Sequence, residues 1–150
     1  MDPPLRQQMR DAFDTNTTGP AVVTETFATL LKASTSPLKR IINVSSGAGS
    51  ITYRLDPSKP MYNSQDLQYR ASKAALSMVT ACQWVEYGPL GIKVFAYCPG
   101  FTASNLSSRN KIENGARAVE DSVKPLVDVL EGRRDEDVGK FLNKDGIYPW

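Results

Sequence analysis

Tyr69 and Lys73 stand four residues apart in Tyr69-Arg70-Ala71-Ser72-Lys73, and a serine pair, Ser45-Ser46, closes an apolar run upstream. At ~1.5 Å rise per residue, a helix places the phenol and the ammonium about one turn apart on one side. That arrangement suits proton transfer. A phenol ionises near ~10 in water, too high for a base at neutral pH. A nearby cation favours the phenolate, and a serine hydroxyl can hold a carbonyl or alcohol oxygen beside it. A Tyr-x-x-x-Lys pair alone is weak evidence, because most such pairs are solvated helix faces. The chain has no histidine, which removes Ser-His-Asp and Cys-His catalysis and histidine-containing zinc sites. Cys82 and Cys98 make no close-spaced metal motif and read as reduced thiols.

The elements that must hold these residues follow from periodicity. Leu5, Met9, Ala12 and Phe13 share a helical face, which Gly19-Pro20 interrupts or kinks before Val23, Phe27, Leu30 and Leu31 resume it. Residues 40–46 are β-branched and apolar on both sides of the pleat, as in a buried parallel strand. A loop is expected over 50–60. A helix then carries Tyr69 and Lys73 opposite an apolar stripe of Leu67, Ala71, Ala74, Ala75, Met78, Cys82 and Val85, until Gly88-Pro89 stops it. Residues 92–97 form a second strand ending at Pro99-Gly100. Val119 to Leu130 reads as a helix that Pro125 should kink or break, and 138–142 as a third short strand. Strands separated by helices imply right-handed crossovers and a parallel sheet. The expected fold is α/β: a partial Rossmann fold with a three-stranded parallel sheet flanked by helices, all within one unit spanning 1–150. Ligands of such sheets bind beyond the carboxyl ends of the strands, where Ser46, Pro99-Gly100 and the start of the Tyr69 helix converge.

Charge and hydropathy narrow the partners. With 150 residues, 41% hydrophobic and 23% charged, the chain can build a core. A formal net charge of +2 gives no electrostatic reason to expect nucleic acid or an anionic membrane. No apolar run approaches the ~20 residues of a membrane span. Met1-Asp2-Pro3-Pro4 lacks the pattern of a secretory signal, so a cytoplasmic protein is expected and the three Asn-x-Ser/Thr sequons are discounted.

These motifs, in this order and spacing, resemble the short-chain dehydrogenases and reductases of the classical, fungal-like type. The resemblance covers essentially the whole chain. It implies an NADP- or NAD-dependent oxidoreductase that reduces a small carbonyl or oxidises an alcohol. Tyr69 would be the acid/base. Lys73 would lower the phenol pKa and bind the nicotinamide ribose. Ser46 would orient the substrate oxygen, and Asn16 would hold a water linking Lys73 to solvent. Pro99, Gly100, Thr102 and Ser104 would contact the nicotinamide end and its phosphates. A homo-oligomer is implied. The family's opening strand, Gly-rich turn and helix, and its Asn-Asn-Ala-Gly strand, have no counterpart in the sequence. Gly47-Ala48-Gly49 matches no G-x-G-x-x-G that opens a helix. The chain therefore reads as a carboxyl-terminal catalytic half with an uncovered apolar edge. A truncated paralogue acting as an interaction partner, or an incomplete gene product, is the alternative.

Overall fold

The computed structural model describes residues 3–150; Met1 and Asp2, on which part of the signal-segment argument rests, lie outside them. The chain opens with a long helical run. Helix α1 (Leu5–Phe13) passes through one π turn (Asp14–Thr18) directly into α2 (Gly19–Ala33). The interruption or kink expected at Gly19-Pro20 takes the form of this π turn, and the run stays helical throughout. Pro20 has no N–H to offer the Asn16 carbonyl four residues back. The ladder slips by one residue instead, and Gly19 N donates to the Asp14 carbonyl five residues back. Asn16 sits within that wider turn, a common setting for functional residues.

Strand β1 (Arg40–Val44) pairs in parallel with β2 (Lys93–Tyr97), which pairs in parallel with β3 (Phe141–Asn143). A fourth strand, β4 (Gly146–Tyr148), returns antiparallel against β3. The sheet is thus mixed and four-stranded, in the order β1-β2-β3-β4. The expected α/β class holds, but the three-stranded, all-parallel description does not. The third strand also begins at Phe141, later than the expected 138. A hairpin through Lys144-Asp145 folds the last residues back, and no apolar run announces so short a return strand.

Two layers cover the sheet. Ile41, Val94 and Ile92 bury against Ala28 of α2 and Tyr87 at the end of α4 (Leu67–Tyr87). On the other face Phe95, Tyr97 and Leu142 meet Val129 of α5 (Val119–Leu130). Helix α5 keeps Pro125 in its interior without breaking. One lost backbone bond is outweighed there by the packing of Leu126 and Val129 on the sheet. Residues 50–60, expected as loop, include a single turn, α3 (Ile51–Arg54), capped by Ser50 Oγ from the Tyr53 amide.

Helix α4 buries Ser72, Lys73, Leu76, Ser77, Thr80 and Gln83, while Met78 and Val85 of its apolar stripe are exposed. Polar residues can face inward because the sheet answers them. Asn43 Nδ2 donates to Thr80 Oγ1 at 2.8 Å and to Gln83 Oε1 at 2.7 Å. A buried polar cluster is tolerated when its members are paired. The outward apolar stripe leaves α2 and α4 with surface for another molecule.

Strand β1 is an edge. Ser45 N donates to the Tyr97 carbonyl and Lys93 N to the Lys39 carbonyl. Strand alternation then turns the backbone groups of residues 40, 42 and 44 away from β2. A groove of about 900 Å³ follows that edge, between β1 and α2, with Val23, Phe27, Leu30, Ile42 and Val44 in its walls.

Candidate active site

Ser46, Tyr69 and Lys73 come together beyond the carboxyl ends of β1 and β2. Ser46 lies just past β1 and opens a 3₁₀ turn, Gly47–Gly49. Its hydroxyl oxygen accepts from Ala48 N at 3.2 Å. The turn is seated tightly on α4: a Cβ on Gly49 would lie 2.7–2.9 Å from backbone and Cβ atoms of Lys73 and Ala74. Glycine at 49 thus brings the serine against the helix that carries the phenol.

Tyr69 is half-buried, and burial pushes its phenol above the ordinary value. The nearby Ser46 hydroxyl works the other way by favouring the phenolate. No Ser46–Tyr69 hydrogen bond of ordinary geometry forms, so proximity rather than a bond is the finding. Lys73 Nζ lies 5.9 Å from the Tyr69 ring centroid and donates to the Val44 carbonyl at 3.0 Å. Burial pushes the Lys73 pKa down. Burial is the main cause of the raised Tyr69 value; Lys73 Nζ stands over the phenol ring while its hydrogen bond goes to the edge of β1.

Asn16 reaches the same helix by another route. Its Nδ2 donates to Ser72 Oγ at 3.1 Å, Ser72 Oγ donates to the Tyr69 carbonyl at 2.8 Å, and Thr17 Oγ1 donates to the Ser72 carbonyl at 2.9 Å. The π turn and the early turns of α4 are thereby locked together.

The Pro99-Gly100 turn closes the other side. Gly100 has φ +78°, and a Cβ there would collide with the Arg117 guanidinium, whose Nη2 donates to the Pro99 carbonyl at 2.5 Å. Thr102 Oγ1 bonds Ser122 Oγ at 2.8 Å and the Gly100 carbonyl at 3.2 Å, so it braces the turn from within. Ser104 is exposed in the following loop, its hydroxyl taken by the Leu106 amide at 3.3 Å. Neither is brought to Tyr69 by a contact of its own.

Three residues of this neighbourhood escaped the sequence reading as parts of the site. Cys98 Sγ accepts from Gly47 N at 3.2 Å and Gly100 N at 3.3 Å, joining the serine turn to the Pro-Gly turn. Arg117 braces Pro99. Arg70, inside the Tyr-x-x-x-Lys motif, turns away from Tyr69 and into the protein. Only Cys98 and Arg70 carried a signal, namely adjacency to a motif.

For a nicotinamide dinucleotide the fit is partial. The open end of β1 and β2, with Tyr69, Lys73 and the positive-φ Gly100 turn around it, suits the nicotinamide and its ribose. Among the described residues there is no Gly-rich strand-turn-helix to receive the pyrophosphate.

Comparison with known proteins agrees with this geometry. The short chain dehydrogenase family model matches residues 5–115. The chain is 34% identical to the short-chain dehydrogenase/reductase eupG of Phoma sp, covering 97% of this chain and 59% of that protein. It is 34% identical to the short-chain dehydrogenase anuI of Penicillium roqueforti, covering 94% and 56%. Among solved structures, the NADPH-bound carbonyl reductase from chicken fatty liver superposes with a TM-score of 0.79 at 32% identity, over 100% of this chain and 60% of that one. The carbonyl reductase Sniffer of D. melanogaster gives 0.77 at 26%, with the same coverages. The chain thus spans somewhat more than half the length of the relatives it matches.

Proposed function

The chain belongs to the short-chain dehydrogenases, and from that premise we propose that residues 1–150 are the carboxyl-terminal catalytic half of an oxidoreductase that reduces a small carbonyl compound with NADPH or NADH. The juxtaposition of Ser46, Tyr69 and Lys73 at one end of the sheet carries the reading. Ser46 Oγ donates to the substrate oxygen, and Tyr69 gives that oxygen its phenolic proton. A bound nicotinamide cofactor would supply the hydride for the carbonyl carbon, which with the Tyr69 proton gives the alcohol. Lys73, whose ammonium now donates to the Val44 carbonyl, would hold the ribose and favour the phenolate when the cofactor is bound. Asn16, through Ser72, fixes the turn of α4 that bears Tyr69 and would hold a water leading to Lys73. Pro99, Gly100 and Thr102 of the turn, and Ser104 of the loop after it, would hold the nicotinamide end and its phosphates.

A phenol that holds its proton at neutral pH can act as the donor in reduction. Related carbonyl reductases support the substrate class. Two free thiols, Cys82 and Cys98, suit the reducing cytoplasm, where we place the protein. The exposed apolar face of α2 and α4, with Val22, Met78 and Val85, suits a homo-oligomer. The same face serves the alternative reading, a non-catalytic interaction partner. An assay with millimolar NADPH or NADH and a panel of small ketones and quinones separates the two. Cofactor oxidation that disappears in Tyr69→Phe supports catalysis, whereas no Tyr69-dependent turnover with any substrate overturns it.

A further inference from the structure

We propose that Arg70 is a positioning residue for Ser46: its guanidinium holds the carbonyl of Ala48, the residue whose amide holds the Ser46 hydroxyl. Arg70 follows Tyr69 on α4 and is only 9% exposed. A guanidinium stays charged at neutral pH and has no apolar substitute for its donors once buried. Here Nη1 donates to the Ala48 carbonyl at 3.2 Å and Nη2 to the Met61 carbonyl at 2.5 Å. Both acceptors are backbone, on two different segments. Nε is buried with no acceptor at all. A side chain kept only to fill this space would be more stable as a hydrocarbon of similar volume, because burying a charge with an unanswered donor is unfavourable. The arrangement makes sense for what it holds.

Ala48 is 3% exposed and has both of its backbone groups engaged, the carbonyl by Arg70 and the amide by Ser46 Oγ at 3.2 Å. The adjacent Gly49 leaves no space for a Cβ between the turn and α4. A turn held at Ala48 and seated at Gly49 cannot rotate Ser46 without losing one of these contacts. The second arm, on Met61, fixes the connection that returns from the serine turn to α4. One side chain thereby ties the Tyr69 helix to the segments before it. Lysine, a single-point donor, can satisfy one carbonyl but not both.

The role of Ser46 in turnover rests on the carbonyl-reduction reading above; the contact itself does not, and the experiment keeps them apart. In ¹⁵N-labelled chain, Arg70→Lys and Arg70→Gln should shift the Ala48 and Gly49 amide signals. Their hydrogen exchange should quicken about tenfold, the equivalent of one hydrogen bond, while the Leu76–Gln83 amides stay unchanged. Unmoved Ala48 and Gly49 amides would overturn the proposal. Should both variants fail to fold, the wild-type chain decides: a guanidinium gripped by two carbonyls shows separate, slowly exchanging Nη signals, and a freely averaged signal refutes it. Where wild type turns over, Arg70→Lys should lower kcat about tenfold with KM for NADPH unchanged, and should add no further loss to Ser46→Ala. Full additivity with Ser46→Ala refutes positioning. A wild type without turnover refutes carbonyl reduction alone, because the amide and guanidinium signals still decide the contact.

Discussion

Tyr69 occupies a position where removing one oxygen atom tests the chemistry with little change of packing. Tyr69→Phe should lower carbonyl reduction ~10²–10⁴-fold, the usual worth of a positioned proton donor, without altering cofactor binding by more than a small factor. Stopped-flow NADPH oxidation together with a fluorescence titration checks both halves of that statement. The sign of the pH profile follows from burial. With the phenol pushed above its ordinary value by burial, Tyr69 of the cofactor-free chain should stay protonated across neutral pH and ionise only in alkali, and a Tyr69-dependent phenolate absorbance below pH 8 would contradict the assignment. Ser46, by contrast, is proposed to act through placement, so its environment matters as much as its oxygen.

Helix α4 and the strand beneath it form the element on which the site stands. Asn43 joins β1 to α4 through Thr80 and Gln83. Asn43→Ala strands the Gln83 carbonyl oxygen in the interior and should cost about 2–4 kcal/mol, from lost hydrogen bonds plus an unanswered acceptor; urea denaturation measures it. Gly49→Ala is aimed at function instead. A methyl group 2.7–2.9 Å from Lys73 and Ala74 must lift the serine turn from the helix. Turnover should then drop far more than the melting temperature does, and equal losses of both would sink the idea that this contact sets the Ser46–Tyr69 approach.

For the whole molecule, buried phenols dominate the alkaline side. Burial raises the pKa of Tyr69, Tyr87, Tyr97 and Tyr148, the last to about 12. In the unfolded chain these groups ionise near ~10. The folded state keeps protons that the unfolded state loses, so stability should be full below ~10 and decline as pH rises toward about 12. Lys73, with its pKa pushed down by burial, opposes this trend without reversing four phenols. On the acid side Asp135, bonded by Arg40 and Lys93, and Asp137, bonded by Arg134 and Lys140, have lowered values. Their contribution is present above the ordinary carboxylate range and lost as pH falls through the lowered values. Thermal melts from pH 2 to 12 read both limbs, and rising stability above pH 10 would contradict the phenol argument. Association belongs to this scale as well. Val85→Glu, on the outward face of α4, should shift the chain toward monomer in sedimentation while leaving its melting temperature within a few degrees, since Val85 is 76% exposed.

The sequence alone determined the α/β class, the parallel β1-β2 pair, the helix bearing Tyr69 and Lys73 and their convergence with Ser46. Each follows from short-range periodicity, breakers and a strand-helix-strand order that permits few topologies. What it left open depended on packing across the chain. Gly19-Pro20 reads as an interruption or a kink, and only the structure shows it as a π turn; Pro125 reads as a kink or a break until the sheet holds α5 in place. The hairpin β3-β4 carries too few residues for a period to show. The apolar stripe of α4 shows in the sequence, but which side faces the sheet does not: Asn43 meets Thr80 and Gln83 on the polar side, because buried amides and hydroxyls must find partners. The site's electrostatics were decided in the same way. Spacing places a cation one turn from a phenol, but only the tertiary structure determines how deeply the phenol is buried and which carbonyl the ammonium finds first.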